Sequence, residues 1–292
     1  MAMIISDDIK FVYMHIPKCA GTTLSKAMKA AMPHDERFLG AKRDKETGQF
    51  LYMDHPVLGK LNAPHIPLAL LREHFPDVWT KLQTYNVYAI TRDPAARFQS
   101  AIGQIVKEFM TENIFSIPES RLRKIVRDCI SGIRKNPVHP GVEYMHLIRQ
   151  ADFIELNGEQ IAKNVYPIDA VSQMVKDINA RFNVEVDAGE RQNQARIPAF
   201  AGANSALWWM GRAARTALPM DTYFKLKNGA ARLLTSDARQ KPDLTFFRSA
   251  EVTDFVQEFY ARDYELCDET KKAFAQALIP PRQPDKEHEN AH

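Results

Sequence analysis

Phe11-Val12-Tyr13-Met14-His15-Ile16-Pro17-Lys18-Cys19-Ala20-Gly21-Thr22-Thr23 is the stretch that decides how this chain is read. Its first six residues form a short apolar, β-rich run that ends at Pro17, and the loop after it opens onto the helix-prone run Leu24 to Ala31. The order is buried strand, tight loop, helix. In that setting successive backbone N–H groups surround an anion, and the start of the helix adds a favourable dipole. Lys18 supplies a point charge, Thr22 and Thr23 supply hydroxyl donors, and Gly21 allows a close approach of backbone to anion. The lysine does not stand directly before Ser or Thr, so this is not the magnesium-binding Walker pattern. The bland alternative is a solvated Lys18 with Gly21 serving only the turn.

Working outward, Asn86 to Thr91 is a second strand that leads into the polar turn Arg92-Asp93-Pro94 and a helical pattern beginning near Ala95. Two strand-loop-helix units predict an α/β protein with a parallel sheet. Arg92 falls at the end of a strand and Ser100 on the following helix, where both can meet a second phosphate. Arg97 either joins them or forms a salt bridge with Asp93.

Elsewhere the pattern is coarser. Asp35 to Gly48 reads as an excursion from the core, and Leu68 to Phe75 as a helix stopped by Pro76. Residues 118–131 read as helix and 135–141 as loop. Ala151 to Leu156 reads as a short strand, and Val165 to Ile168 as an extended piece before a helix that Asp169 caps and that ends near Ala180. Ser249 opens a helical run from Ala250 to Tyr264, with Glu251 and Asp254 near its positive end. We expect one domain over residues 1–279, with insertions near 35–75 and 187–241, and a flexible tail over 280–292.

Composition limits the function classes. The 292 residues are 45% hydrophobic and 26% charged, ordinary for a folded globular chain. Thirty-nine Lys plus Arg against 36 Asp plus Glu give a net charge of +3, far from the basic excess that a nucleic-acid backbone demands, although a small anion needs only a local cluster. Cys19, Cys129 and Cys267 are too few and too scattered for a disulfide framework or a zinc quartet, which favours a reducing compartment. The histidines show no close His-Glu-His pattern, so no metal is expected. No apolar run approaches the roughly 20 residues needed to span a bilayer, and Met1 to Lys10 does not read as a signal peptide. The expected location is cytoplasmic, with peripheral membrane association left open and the oligomeric state unspecified.

The two motifs together resemble those of the 3'-phosphoadenosine 5'-phosphosulfate (PAPS)-dependent sulfotransferases, especially the carbohydrate and heparan sulfate O-sulfotransferase branch. His15 to Thr23 is similar to that family's 5'-phosphosulfate loop, and Arg92-Asp93-Pro94 to Ser100 to its 3'-phosphate motif. Asp152-Phe153-Ile154-Glu155 and Phe259 to Leu266 are looser matches to a central segment and the closing helix. The resemblance implies a P-loop-like three-layer α/β/α fold with a central, mainly parallel sheet. It implies PAPS as donor and adenosine 3',5'-bisphosphate as product, held by Lys18, Cys19, Ala20, Gly21, Thr22, Thr23, Arg92 and Ser100. Cys19 stands where threonine is common; the loop binds through backbone N–H groups, so this change alone does not remove the site.

The implied acceptor is a hydroxyl, on a glycan, a lipid or another small alcohol. Ala63-Pro64-His65-Ile66-Pro67-Leu68 is similar to the segment that carries the base in glycan-sulfating relatives, which makes His65 the candidate base beside Lys18. His55 and His139 are the reserve candidates, and some relatives use Glu or Asp. Trp208 and Trp209 either stack on a sugar ring or fill the core. Two other classes remain: an ATP-dependent phosphotransferase, which lacks the Walker lysine and an acidic strand end for magnesium, and a noncatalytic nucleotide-binding or interaction module.

Overall fold

Four short strands organise the computed structural model, which describes residues 2–40, 42–43, 50–110, 112, 114–187, 196–198, 222, 235–237 and 244–277. They are β1 (Ile4–Ser6), β2 (Phe11–Tyr13), β3 (Asn86–Thr91) and β4 (Asn164–Pro167), side by side in that order. β2, β3 and β4 are parallel, with Tyr13 level with Tyr88 and Pro167 level with Thr91, while β1 pairs antiparallel to β2 at the edge. The fold is therefore mixed α/β around a small mixed sheet. β2 is wholly buried and β3 is buried from Val87 to Thr91, the continuous apolar character of parallel strands covered on both faces.

The principal helices are α1 (Gly21–Ala31), α2 (Leu68–His74), α3 (Pro76–Thr84), α4 (Pro94–Phe109), α5 (Glu119–Lys135), α6 (Val171–Phe182), α7 (Ala250–Phe259) and α8 (Ala261–Ala277). In α4, Pro94 occupies the first turn and Asp93 Oδ1 accepts from Ala96 N at 2.8 Å, an N-cap that fixes where the helix begins. Its Phe98, Ala101, Ile102, Ile105 and Val106 form one apolar face. One hydrophobic cluster runs from Met3 through Phe98 to Leu266, so α8 closes against the same core as the first strand.

The structure corrects several local expectations. Pro76 ends α2 but also starts α3, because proline at a first helical position loses no intrahelical bond. Ala151–Ile154 is a single helical turn, and only Glu155–Leu156 is extended, paired with Glu159–Gln160. Asp169 lies inside a 3₁₀ turn and does not cap α6. The Ala250 to Tyr264 run is two helices broken at Tyr260, and the Ser249 side chain makes no capping bond. Asp93 caps α4 instead of pairing with Arg97. The tail, Trp208 and Trp209 and most of 187–241 lie outside the described residues.

Candidate active site

The loops after β2 and β3 emerge at one end of the sheet. The first reaches α1 through Lys18 (φ 67°) and Ala20 (φ 57°), both in the left-handed region, a conformation that costs about 1–3 kcal/mol per non-glycine residue. What holds it is Cys19 between them: the buried thiol lies 3.3 Å from Gln150 Oε1. Burial pushes that thiol up to about 12, which suits a packed residue and not a thiolate nucleophile. The N-cap residue Ala20 brings no capping side chain to α1, so among the described residues the N–H groups of Gly21, Thr22 and Thr23 keep their donor capacity there.

Gly21 is needed for a reason the sequence did not disclose: a Cβ there would collide with the ring of His15. His15 begins a row of three buried histidines. Its ring lies edge-to-face with His65 at 4.7 Å, and His65 likewise with His146 at 5.4 Å. His65 Nδ1 lies 3.1 Å from the His15 carbonyl, and a carbonyl only accepts, so Nδ1 carries the proton and Nε2 presents a lone pair. That Nε2, and both ring nitrogens of His146, are buried with no hydrogen-bond partner among the described residues. Burial drives His65 down to about 4, against the opposing pull of the His15 carbonyl. Burial likewise holds His15 and His146 well below the ordinary histidine value. Among the described residues no cluster of His, Cys, Asp or Glu is arranged to hold a metal ion.

Lys18 Nζ donates to Gln104 Oε1 at 3.2 Å, and Gln104 Nε2 donates to Glu108 at 3.1 Å. Ser100, Gln104 and Glu108 are four residues apart on α4 and so share a face. Burial first, then the charges of Arg92 and Lys107, bring Lys18 down to about 8. Arg92 reaches across from the second loop, where its Nη1 donates to the Lys18 carbonyl at 2.9 Å. Lys18 and Arg92 are thus brought together with Cys19, while Ser100 is one helical turn from the glutamine that holds Lys18.

Other predicted residues are differently employed. Arg97 is fully buried, 3.7 Å from Asp263 and over the Tyr260 ring, so it braces the core. His55 Nδ1 accepts from Val57 N and Leu58 N, and His139 Nε2 meets the Leu58 carbonyl at 2.9 Å. Both reserve histidines therefore hold a turn. A cavity of about 20 Å³, room for one water-sized group, is lined by Asn62, His65, Leu70, His139 and Met145 among others. A larger concavity of about 710 Å³ between α5 and α7 shares no lining residue with either loop. Of its lining residues, Arg127 and Arg134 are paired with Glu251 and Glu258 across the concavity.

The chain belongs to the sulfotransferase family, whose model matches residues 1–163. Sulfotransferase-type group transfer is the reaction class this membership assigns. No curated protein and no solved structure matches the chain. Among the described residues no helix is long and apolar enough to cross a membrane.

Proposed function

We propose that the chain is a PAPS-dependent O-sulfotransferase of the carbohydrate and heparan sulfate type, built on a P-loop-like three-layer α/β/α catalytic domain over residues 1–279 and working in the cytoplasm. The observation that carries this reading is the bond from Arg92 Nη1 to the Lys18 carbonyl, because it draws the two anion-holding loops into one site. Burial and then the charge of Arg92 bring Lys18 down to about 8, and an anion lying beside both groups favours their charged forms. A donor with phosphate groups at both ends fits that demand.

In this reading Lys18, with the backbone of Cys19, Ala20, Gly21, Thr22 and Thr23, holds the 5'-phosphosulfate end, and Arg92 with Ser100 holds the 3'-phosphate. PAPS supplies the sulfuryl group on a bisphosphate leaving group. His65 Nε2 takes the proton of the acceptor hydroxyl as its oxygen bonds to sulfur in line with the breaking S–O bond. Lys18 stabilises the charge that develops on the departing phosphate oxygen. The cavity beside His65 matches a hydroxyl in size, and the acceptor class we favour is a sugar hydroxyl of a glycan or glycolipid.

The test is a pair of calorimetric titrations with adenosine 3',5'-bisphosphate and ATP, each with and without magnesium. We expect tighter, magnesium-independent binding of the bisphosphate. Preference for magnesium-ATP would overturn the PAPS assignment. A screen with labelled donor across acceptor classes then separates an enzyme from a binding module, which binds the bisphosphate and transfers nothing.

A further inference from the structure

We propose that Gln150 is the positioning residue of the donor site, locking the backbone of Arg92 to the loop that carries Lys18. The inference rests on the donor reading above. Gln150 has no exposed surface. Its Oε1 accepts from Arg92 N at 2.8 Å, and its Nε2 donates to the Arg92 carbonyl at 2.9 Å. Thr91 is the last residue of β3 with a partner on β4, so at Arg92 the ladder has ended and both backbone groups need other partners. A side-chain amide offers one acceptor and donors on one plane; it continues the sheet by one residue without a strand. The fixed polarity of the backbone also fixes which end of the amide is oxygen.

The same Oε1 lies 3.3 Å from the Cys19 thiol, between the two strained residues of the first loop. One side chain therefore touches both anion-holding loops. Gln150 is itself held from the far end of the chain: its own N–H and that of Ala151 each donate to a different oxygen of Asp263, both at 2.9 Å. Cys267, one turn further along α8, donates its thiol proton to the Arg92 carbonyl at 3.2 Å. Removing the amide frees Arg92 to shift relative to Lys18. That alters the recognition of a 3'-phosphate, and misalignment of about 1 Å costs on the order of 10²-fold in transfer.

The experiment compares adenosine 3',5'-bisphosphate with adenosine 5'-phosphate by calorimetry. Gln150→Met keeps the length of the side chain and removes its hydrogen bonds. The wild-type preference for the bisphosphate should fall about tenfold or more in this variant, roughly the loss of one buried polar contact. Ile133→Ala, a core substitution on α5, should keep the wild-type ratio although it too lowers the melting temperature. A Gln150→Met protein with an unchanged ratio overturns the inference, because a merely structural glutamine would lower stability alone.

If Gln150→Met does not fold, Gln150→Glu decides. A protonated glutamic acid donates and accepts as the amide does, whereas the ionised form has lost the donor. The groups facing it are Asp263 and Cys267 on α8, Cys19 on the first loop, and Arg92, with Arg97 beside Asp263. Measured against wild type at the same pH, the ratio should be near normal at about pH 6 and reduced at about pH 8.5, since burial and Asp263 raise the new carboxyl. A ratio equal to wild type at both values overturns the inference. A wild-type chain that binds neither nucleotide removes the donor reading, and this inference with it.

Discussion

Gly21→Ala places a methyl group where the ring of His15 already stands. The ring has nowhere to go: His15 is 1% exposed, stacks on Tyr13 at 6.1 Å and meets His65 at 4.7 Å. Its carbonyl is also engaged by His65 Nδ1. Overpacking of this kind costs about 1–3 kcal/mol, and alanine's better helix propensity returns at most about 1 kcal/mol, which leaves a net loss of up to about 3 kcal/mol. The strain passes to Ala20 and Lys18, so affinity for adenosine 3',5'-bisphosphate should fall as well. Urea unfolding followed by circular dichroism gives the first quantity and calorimetry the second. Gly103→Ala on α4 is the control, since its Cβ would lie 3.8 Å from Ile114, an ordinary contact. That variant should gain about 0.5–1 kcal/mol and bind normally. A Gly21→Ala protein as stable as wild type, with unchanged affinity, would refute the packing of Gly21 against His15.

Two pH dependences follow. With His65 brought down to about 4 and Lys18 to about 8, kcat/KM should be level between those values. It should fall on the acid side as His65 protonates and on the alkaline side as Lys18 loses its charge. Lys18→Arg should remove the alkaline limb, and an acid limb near 6.5 would count against buried His65 as the base. Stability has its own slope, because His15, His65 and His146 are held neutral in the folded chain and take up protons below about 6.5 in the unfolded one. The unfolded state then binds more protons, so stability is intact above about 6.5 and falls as pH decreases towards the folded values. At about pH 5 His65 alone accounts for about 2 kcal/mol; urea midpoints at about pH 7 and pH 5 measure the total, and His146→Phe should flatten the slope.

What the sequence discloses is what its neighbours in the chain determine. The β2-loop-α1 and β3-turn-α4 units are both where pattern and punctuation place them, because Pro17, Gly21, Asp93 and Pro94 act on backbone within a few residues. Pro76 shows the limit of that logic, since the same residue ends one helix and begins the next. The site's fastenings were not legible. Gln150 meets Arg92 across 58 residues and Cys19 across 131, and His65 meets the His15 carbonyl across 50; no local periodicity encodes such pairs. Arg97 was misjudged for a related reason. Its nearest acidic residue in sequence is Asp93, which the backbone of α4 claims, and its counter-charge is Asp263 on α8.

The grip of Asp263 on residues 150 and 151 also orders events during biosynthesis. A ribosome adding about 5–20 residues per second delivers Asp263 some 245 residues after Lys18, a delay of roughly 12–50 s. Through that interval the first strand, loop and helix have emerged without the contact that braces them, and Cys19 lacks the cover of Cys267 and α8. Until α8 arrives the nascent chain lacks that brace, and a chain that stops between residues 101 and 262 retains both phosphate motifs but not the contact of Asp263 with residues 150 and 151.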